Sequence, residues 1–256
     1  MDLIAGAAGF EEYHGLEDYS ILLNYSDSKD RPLGWDFEIL MHLLKLLKNE
    51  SSNYLAFVNA SSDHTPFAEM HEPFNKYEYG PETEGGYLNM LHYTDWAVGK
   101  FIDEFRKRKD FEKTIFIITA DHANAHFQGN DPFGKFKIPL IIYSPKNIPP
   151  GKSEMYASQI DLFPSIVKML EFRGKFSAIG KNIFNNKENF AVVKDGALIE
   201  IFSKEGYLVH SLKKILEFKP LKSQNDEKVK TKLELQSLAF DHLTYLLLTQ
   251  NRWSSP

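Results

Sequence analysis

The stretch TIFIIT, residues 114–119, carries four consecutive apolar side chains and then runs through Ala120 onto Asp121 and His122. A strand wet on one face alternates apolar and polar residues, so an unbroken apolar run needs cover on both faces. Sheets covered on both faces are mostly parallel and flanked by helices. Two further segments read the same way, YLAFVNA at 54–60 and KIPLIIYS at 137–144. Between them lie helical patterns. Over residues 35–50, Leu40, Leu43, Leu44 and Leu47 share one face. Over residues 85–109, Leu88, Leu91, Val98, Phe101, Ile102 and Phe105 form a stripe, and the closing Arg106-Lys107-Arg108-Lys109 suits the negative end of the helix dipole. Residues 158–172 form a third helical pattern, with Pro164 near its first turn.

After about residue 188 the pattern changes. NFAVVKDGALIEIFSKEGYLVHSL alternates, with turn signals at Asp195-Gly196 and Glu205-Gly206, which predicts a small antiparallel meander. SQNDEKVK reads as a polar linker, and residues 232–250 as a last amphipathic helix through Leu235, Leu238, Leu243 and Leu246. The expected fold is α/β: a mainly parallel sheet sandwiched by helices, with a C-terminal antiparallel meander and a final helix. The expected organisation is a main domain over 1–188 and a small appendage over 189–256 packed on it. With 256 residues, 43% of them hydrophobic, the chain can bury a substantial core.

The balance of 30 basic and 35 acidic residues argues against a general nucleic-acid binder, which needs a basic face. The absence of cysteine excludes disulfides, thiolate metal sites and cysteine nucleophiles. No apolar run approaches the roughly 18–20 residues that span a bilayer, and residues 1–20 lack the pattern of a signal peptide. Neither a Gly-rich phosphate loop nor a G-x-S-x-G elbow occurs.

In open α/β sheets, ligands collect beyond the carboxyl ends of strands. Two expected strands end in polar loops, at Ser61-Ser62-Asp63-His64 and at Asp121-His122. The second pair offers one hard oxygen and one imidazole nitrogen, a donor set suited to zinc or manganese rather than calcium. The alternative is that Asp121 caps a turn and His122 is a surface residue. His64 can face an anionic oxygen or shuttle a proton, or it can be an ordinary loop histidine. Trp35 can wall a pocket or staple its helix to the core, and Asp36 is a candidate N-cap. His126 follows His122 by four residues, but in a loop, so helical spacing gives it no support as a ligand. His71, His92, His210 and His242 read as structural or surface residues.

Together these segments resemble a family. YLAFVNASSDHTPF resembles the strand and His-x-Pro-Phe loop of sulfatase-like phosphoglycerol transferases, the lipoteichoic acid synthase group of the alkaline phosphatase superfamily. GGYLNMLHYTDWAVGKFIDEFRKRKDFEKTIFIITADHA resembles their next helix and the strand ending in Asp-His-Gly. SQIDLFPSIVKMLEF resembles their Q-x-D-[LV]-x-P helix, and IGKNIFN their G-x-[DN]-[LI]-F turn. The resemblance implies an alkaline-phosphatase-like fold and a divalent cation, Mn²⁺ or Zn²⁺, on Asp121 and His122. It also implies that His64 contacts substrate phosphate and that Trp35 lines the substrate pocket. The implied chemistry is phosphoglycerol transfer from a phospholipid, or action on another phosphate or sulfate ester, outside the cytoplasm. Two departures stand out. Ala123 replaces the usual glycine, and the family's nucleophile and first acidic ligand belong to a segment upstream of MDLIAGAAGFEEYHG. The nucleophile is therefore expected to be absent from this chain, turnover to be small, and an upstream polypeptide segment or self-association to complete the fold. The alternatives are a sulfatase or phosphoethanolamine transferase on the same fold, and a non-catalytic remnant or binding module.

Overall fold

A computed structural model describes residues 2–23, 25, 34–60, 62–124, 132–185, 190–221 and 226–252. The chain divides into two compact units: residues 1–119 with 140–149, and residues 120–139 with 150–256. This division differs from the 188/189 boundary expected from the change in pattern.

The first unit contains α1 (Asp2–Ala7), α2 (Asp36–Leu46), α3 (Glu84–Phe105), β1 (Phe116–Thr119) and β2 (Leu140–Tyr143). Both long helices form where the apolar periodicity places them. Helix α3 starts on Thr83, whose hydroxyl accepts from the Gly86 amide and satisfies one of the orphan donors of the first turn. The stripes of α2 and α3 meet β1 in one core containing Leu40, Leu47, Ala97, Phe101, Phe105 and Phe116.

The expected parallel sheet is not what the described residues form here. β1 and β2 pair antiparallel, with Phe116 opposite Tyr143 and Ile118 opposite Ile141. Among the described residues β2 is not covered on both faces, Leu140 and Ile141 being 38% and 53% exposed, and an apolar run carries no information on strand direction. Residues 54–60 form no strand either. Tyr54 and Val58 pack against the core, whereas Leu55 and Phe57 are 75% and 76% exposed. An extended segment becomes a strand only when a neighbour takes its backbone groups, and none of the described residues does so.

The second unit contains α4 (Pro132–Phe136), α5 (Leu162–Met169), the strands β3 (Phe190–Asp195), β4 (Leu198–Ser203), β5 (Gly206–His210) and β6 (Ile215–Pro220), and α6 (Asp226–Thr249). The strands form the expected meander, β3-β4-β5-β6, with Ile201 opposite Leu208 and Phe202 opposite Tyr207. Gly196 takes a φ of +59° in the first turn, which a side chain disfavours. One sheet face, Val192, Ile199, Ile201 and Leu208, packs on Leu233 of α6. The other, Phe202, Tyr207 and Val209, packs on Phe133 and Phe136 of α4. Glu200 lies buried in the sheet, and that burial raises its carboxyl pKa. Helix α6 begins at Asp226, inside the segment read as a linker. The acidic residues that made this segment look like a linker, Asp226 and Glu227, favour a helix N-terminus. Among the described residues, no helix is long and apolar enough to cross a membrane.

Leu233 is fully buried, so Leu233→Ala should cost about 2–5 kcal/mol through lost contacts and a cavity. Amide exchange should accelerate in β4 and β5, and unchanged protection there would contradict this core assignment. In the first unit, Arg108 donates two hydrogen bonds to Asp110, which also accepts from Tyr54. The bond from Arg108 is the largest influence holding the Asp110 pKa below its usual 3.8. A depressed carboxyl pKa stabilises above its unfolded value, and the contribution vanishes as pH falls through the folded one. In Arg108→Gln, acid unfolding should therefore begin at higher pH, as measured by melting temperature against pH.

Candidate functional site

The histidine loop belongs to the first unit. The first amides of α2 have no acceptor inside their own helix. Trp35 occupies the N-cap position without a capping hydrogen bond from its side chain, so Asp36, expected as the cap, is the first helical residue instead. The acceptors come from elsewhere in the fold. The Asp36 amide donates to Ser62 Oγ at 2.9 Å, and the Phe37 amide donates to the Tyr93 hydroxyl at 3.1 Å. Ser62 answers in return: its amide and hydroxyl both donate to Asp36 Oδ1, at 3.0 and 2.7 Å. Thr94 of α3 donates to Asp36 Oδ2 at 2.6 Å. Asp36 is 1% exposed and Ser62 is buried, so this clasp works away from water, where charge-assisted hydrogen bonds are strong.

Two residues beyond Ser62, His64 is exposed. Its Nδ1 lies 2.6 Å from the Thr65 carbonyl. A carbonyl only accepts, so Nδ1 carries the proton, and Nε2 is the acceptor of the neutral ring.

Trp35 is 2% exposed. Its ring stacks on Tyr25 at 3.7 Å between centroids and 5° between planes. Tyr25 lines a cleft of about 290 Å³ with Met70, His71, Phe74 and Trp96, among others, while Trp35 is not among the lining residues. The Tyr25 hydroxyl donates to the buried Glu38 and lies 2.8 Å from that of Tyr93. Burial pushes both phenol pKa values well above the ordinary range, so both remain neutral.

Asp121 and His122 belong to the second unit, two and three residues past the last residue of β1. Their side chains are 81% and 75% exposed. The His122 amide donates to Asp121 Oδ1 at 2.8 Å. His122 Nδ1 lies 3.0 Å from the Ala123 carbonyl, which again places the ring proton on Nδ1. Nε2 is thereby left 3.6 Å from Asp121 Oδ2. Two donors on a tetrahedral zinc-sized cation stand about 3.4 Å apart, so these atoms fit as two ligands of one cation. Among the described residues, no group of three or more acidic or histidine side chains is arranged to hold a metal. His126 lies outside the described residues.

What fixes the doublet is a residue whose role the sequence does not reveal. Gln159 Nε2 donates to the carbonyls of Ala120 and Asp121, both at 2.8 Å. Gln159 opens a 3-10 turn, Gln159–Asp161, anchored by Asp161 at 2% exposure. Asp161 accepts from the Ser158 amide, the Lys181 amide and Lys181 Nζ at 2.8–2.9 Å. Gly180 permits this approach, since a Cβ there would lie 2.0 Å from the Ile160 carbonyl. The Q-x-D and G-x-N strings of the sequence are thus the two halves of one brace.

With the geometry in hand, comparisons with known proteins identify the family. A profile of the sulfatase family matches residues 5–172. Lipoteichoic acid synthase 2 of Bacillus subtilis is 25% identical over 182 residues, covering 64% of this chain and 27% of that protein. Lipoteichoic acid synthase of Staphylococcus aureus is 24% identical over 172 residues, covering 58% and 27%. The chain thus spans about a quarter of the length of these relatives. A Vibrio parahaemolyticus protein of the alkaline phosphatase superfamily shares the fold at TM-score 0.74 and 23% identity, over 97% of this chain and 62% of that one. The chain belongs to the sulfatase family and shares its α/β fold with that Vibrio parahaemolyticus protein.

Proposed function

We propose that the chain carries part of a metal-dependent phosphotransferase or hydrolase site for phosphate esters, with phosphoglycerol transfer from a phospholipid as the favoured reaction. The observation that carries this reading is the Asp121–His122 pair. Its Nε2 and Oδ2 lie 3.6 Å apart, and its backbone is pinned by Gln159. Similarity to two lipoteichoic acid synthases supports the choice of phosphoglycerol. A divalent cation, Mn²⁺ or Zn²⁺, would lower the pKa of an attacking hydroxyl and neutralise charge developing on phosphorus. The chain's own residues do the rest. Within the second unit, Asp121 and His122 would hold the cation. Within the first unit, His64 is read, by the family resemblance, as a contact for a phosphate oxygen. Trp35, being buried, acts on a substrate only through Tyr25. Among the described residues no nucleophile is assigned, and two ligands do not complete a metal site. The proposal includes a further polypeptide segment that supplies what is missing and a natural setting outside the cytoplasm. The family profile keeps a sulfate ester as the second reading. Assaying aryl phosphate and aryl sulfate side by side separates the two.

Calorimetric titration with Mn²⁺ and Zn²⁺ should show one site, lost in Asp121→Ala and in His122→Ala. At 100 times the dissociation constant the metal should stabilise the fold by about 2.7 kcal/mol. Binding that survives both substitutions would refute the assignment. Gln159→Ala should leave the fold intact and weaken Mn²⁺ about 10-fold, in line with the usual effect of groups that orient ligands. Phosphatidylglycerol vesicles with Mn²⁺ should yield little diacylglycerol from residues 1–256 alone. Rapid, Asp121-dependent release would contradict the proposed need for a further segment.

A further inference from the structure

We propose that Asp36 is a positioning residue for His64, setting the histidine loop through Ser62. The proposal rests on the reading of His64 as the phosphate contact.

The geometry is confined to the first unit. Asp36 opens α2 and Thr94 lies on α3, so two helices carry the clasp. Among the described residues the Asp36 carboxylate accepts two hydrogen bonds from Ser62 on Oδ1 and one from Thr94 on Oδ2. Ser62 Oγ in turn accepts the Asp36 amide. Ser62 is therefore held through both backbone and side chain by a group that is itself locked in place. From Ser62 the chain needs only Asp63 to reach His64, whose ring is oriented by its bond to the Thr65 carbonyl. A carboxylate with nothing to do but cap α2 would bond its own helix. This one reaches out to the loop. Loosening it frees the backbone of residues 62–65 and, with it, the ring.

The test uses ¹⁵N-labelled chain and reads His64 directly. In the wild type the imidazole nitrogen shifts should report the Nδ1–H tautomer, and residues 63–65 should show ordered backbone amides. In Asp36→Asn and in Ser62→Ala, both nitrogen shifts should move toward the averaged values of free histidine, and the amide order should fall. If Asp36→Asn fails to fold, Ser62→Ala decides, because it removes the hydroxyl's bonds to the Asp36 carboxylate and from the Asp36 amide while keeping the bond from the Ser62 amide. A folded variant with a lowered melting temperature but unchanged His64 shifts and order would overturn the proposal and leave Asp36 a purely structural residue. Inorganic phosphate provides the separate arm. It should shift His64 in the wild type and bind about 10-fold more weakly to Asp36→Asn. No response of wild-type His64 to phosphate would count against the functional reading, while the tautomer and order data would still decide the positioning role.

Discussion

The amide groups at the start of α2 have no partner in their own helix, and the fold answers them from two other places. Ser62 Oγ takes the Asp36 amide and the Tyr93 hydroxyl takes the Phe37 amide. Leaving such a buried donor unmet costs about 1–3 kcal/mol, so this helix end dictates where the loop before His64 and the middle of α3 must pass. The neighbouring residues follow. Tyr93 bonds Tyr25, Tyr25 bonds Glu38, and Glu38 takes the amides of Leu22 and Leu23. A buried polar network of this kind is rigid only when every member is satisfied. Here each acid meets several donors.

The second unit uses the same device for a different purpose. Asp161, buried, collects two amides and an ammonium. Its carbonyl also accepts from Ser165 Oγ, which itself accepts the Ile183 amide. The product is a stiff turn from which Gln159 reaches the carbonyls just before His122. The exposed doublet thus sits on a backbone whose two carbonyls are held by the Gln159 amide. This division of labour suits metal ligation, since the donor atoms face outward while a buried acid fixes their base.

The helices were legible because a period near 3.6 survives any tertiary context, and the meander because alternation and turn residues agree at Asp195-Gly196 and Glu205-Gly206. Strand direction and strand pairing were not. The run at 137–144 gives no hint that it opposes Phe116–Thr119, and residues 54–60 satisfy the strand pattern without pairing with any of the described residues. Of the candidate site residues in the two units, Asp121, His122 and His64 stood out as side chains at the ends of apolar runs. The contacts that hold them did not, although the Q-x-D string containing Gln159 and Asp161 did. Asp36 looked like a local cap, and Gln159, Asp161 and Lys181 act across separations of 20 to 39 residues, which no local pattern reports. Trp35 was legible as an aromatic anchor, but not as one that lies buried and stacked on Tyr25.

The central claim is that a divalent cation belongs on Asp121 and His122. Paramagnetic Mn²⁺ added at substoichiometric levels, followed through the histidine ring signals, tests it most directly. The claim predicts that the His122 signals broaden first and that this broadening disappears in Asp121→Ala. The His14–His42 pair, whose ring nitrogens lie 3.3 Å apart, is the internal control. Broadening there with His122 left sharp would contradict the account.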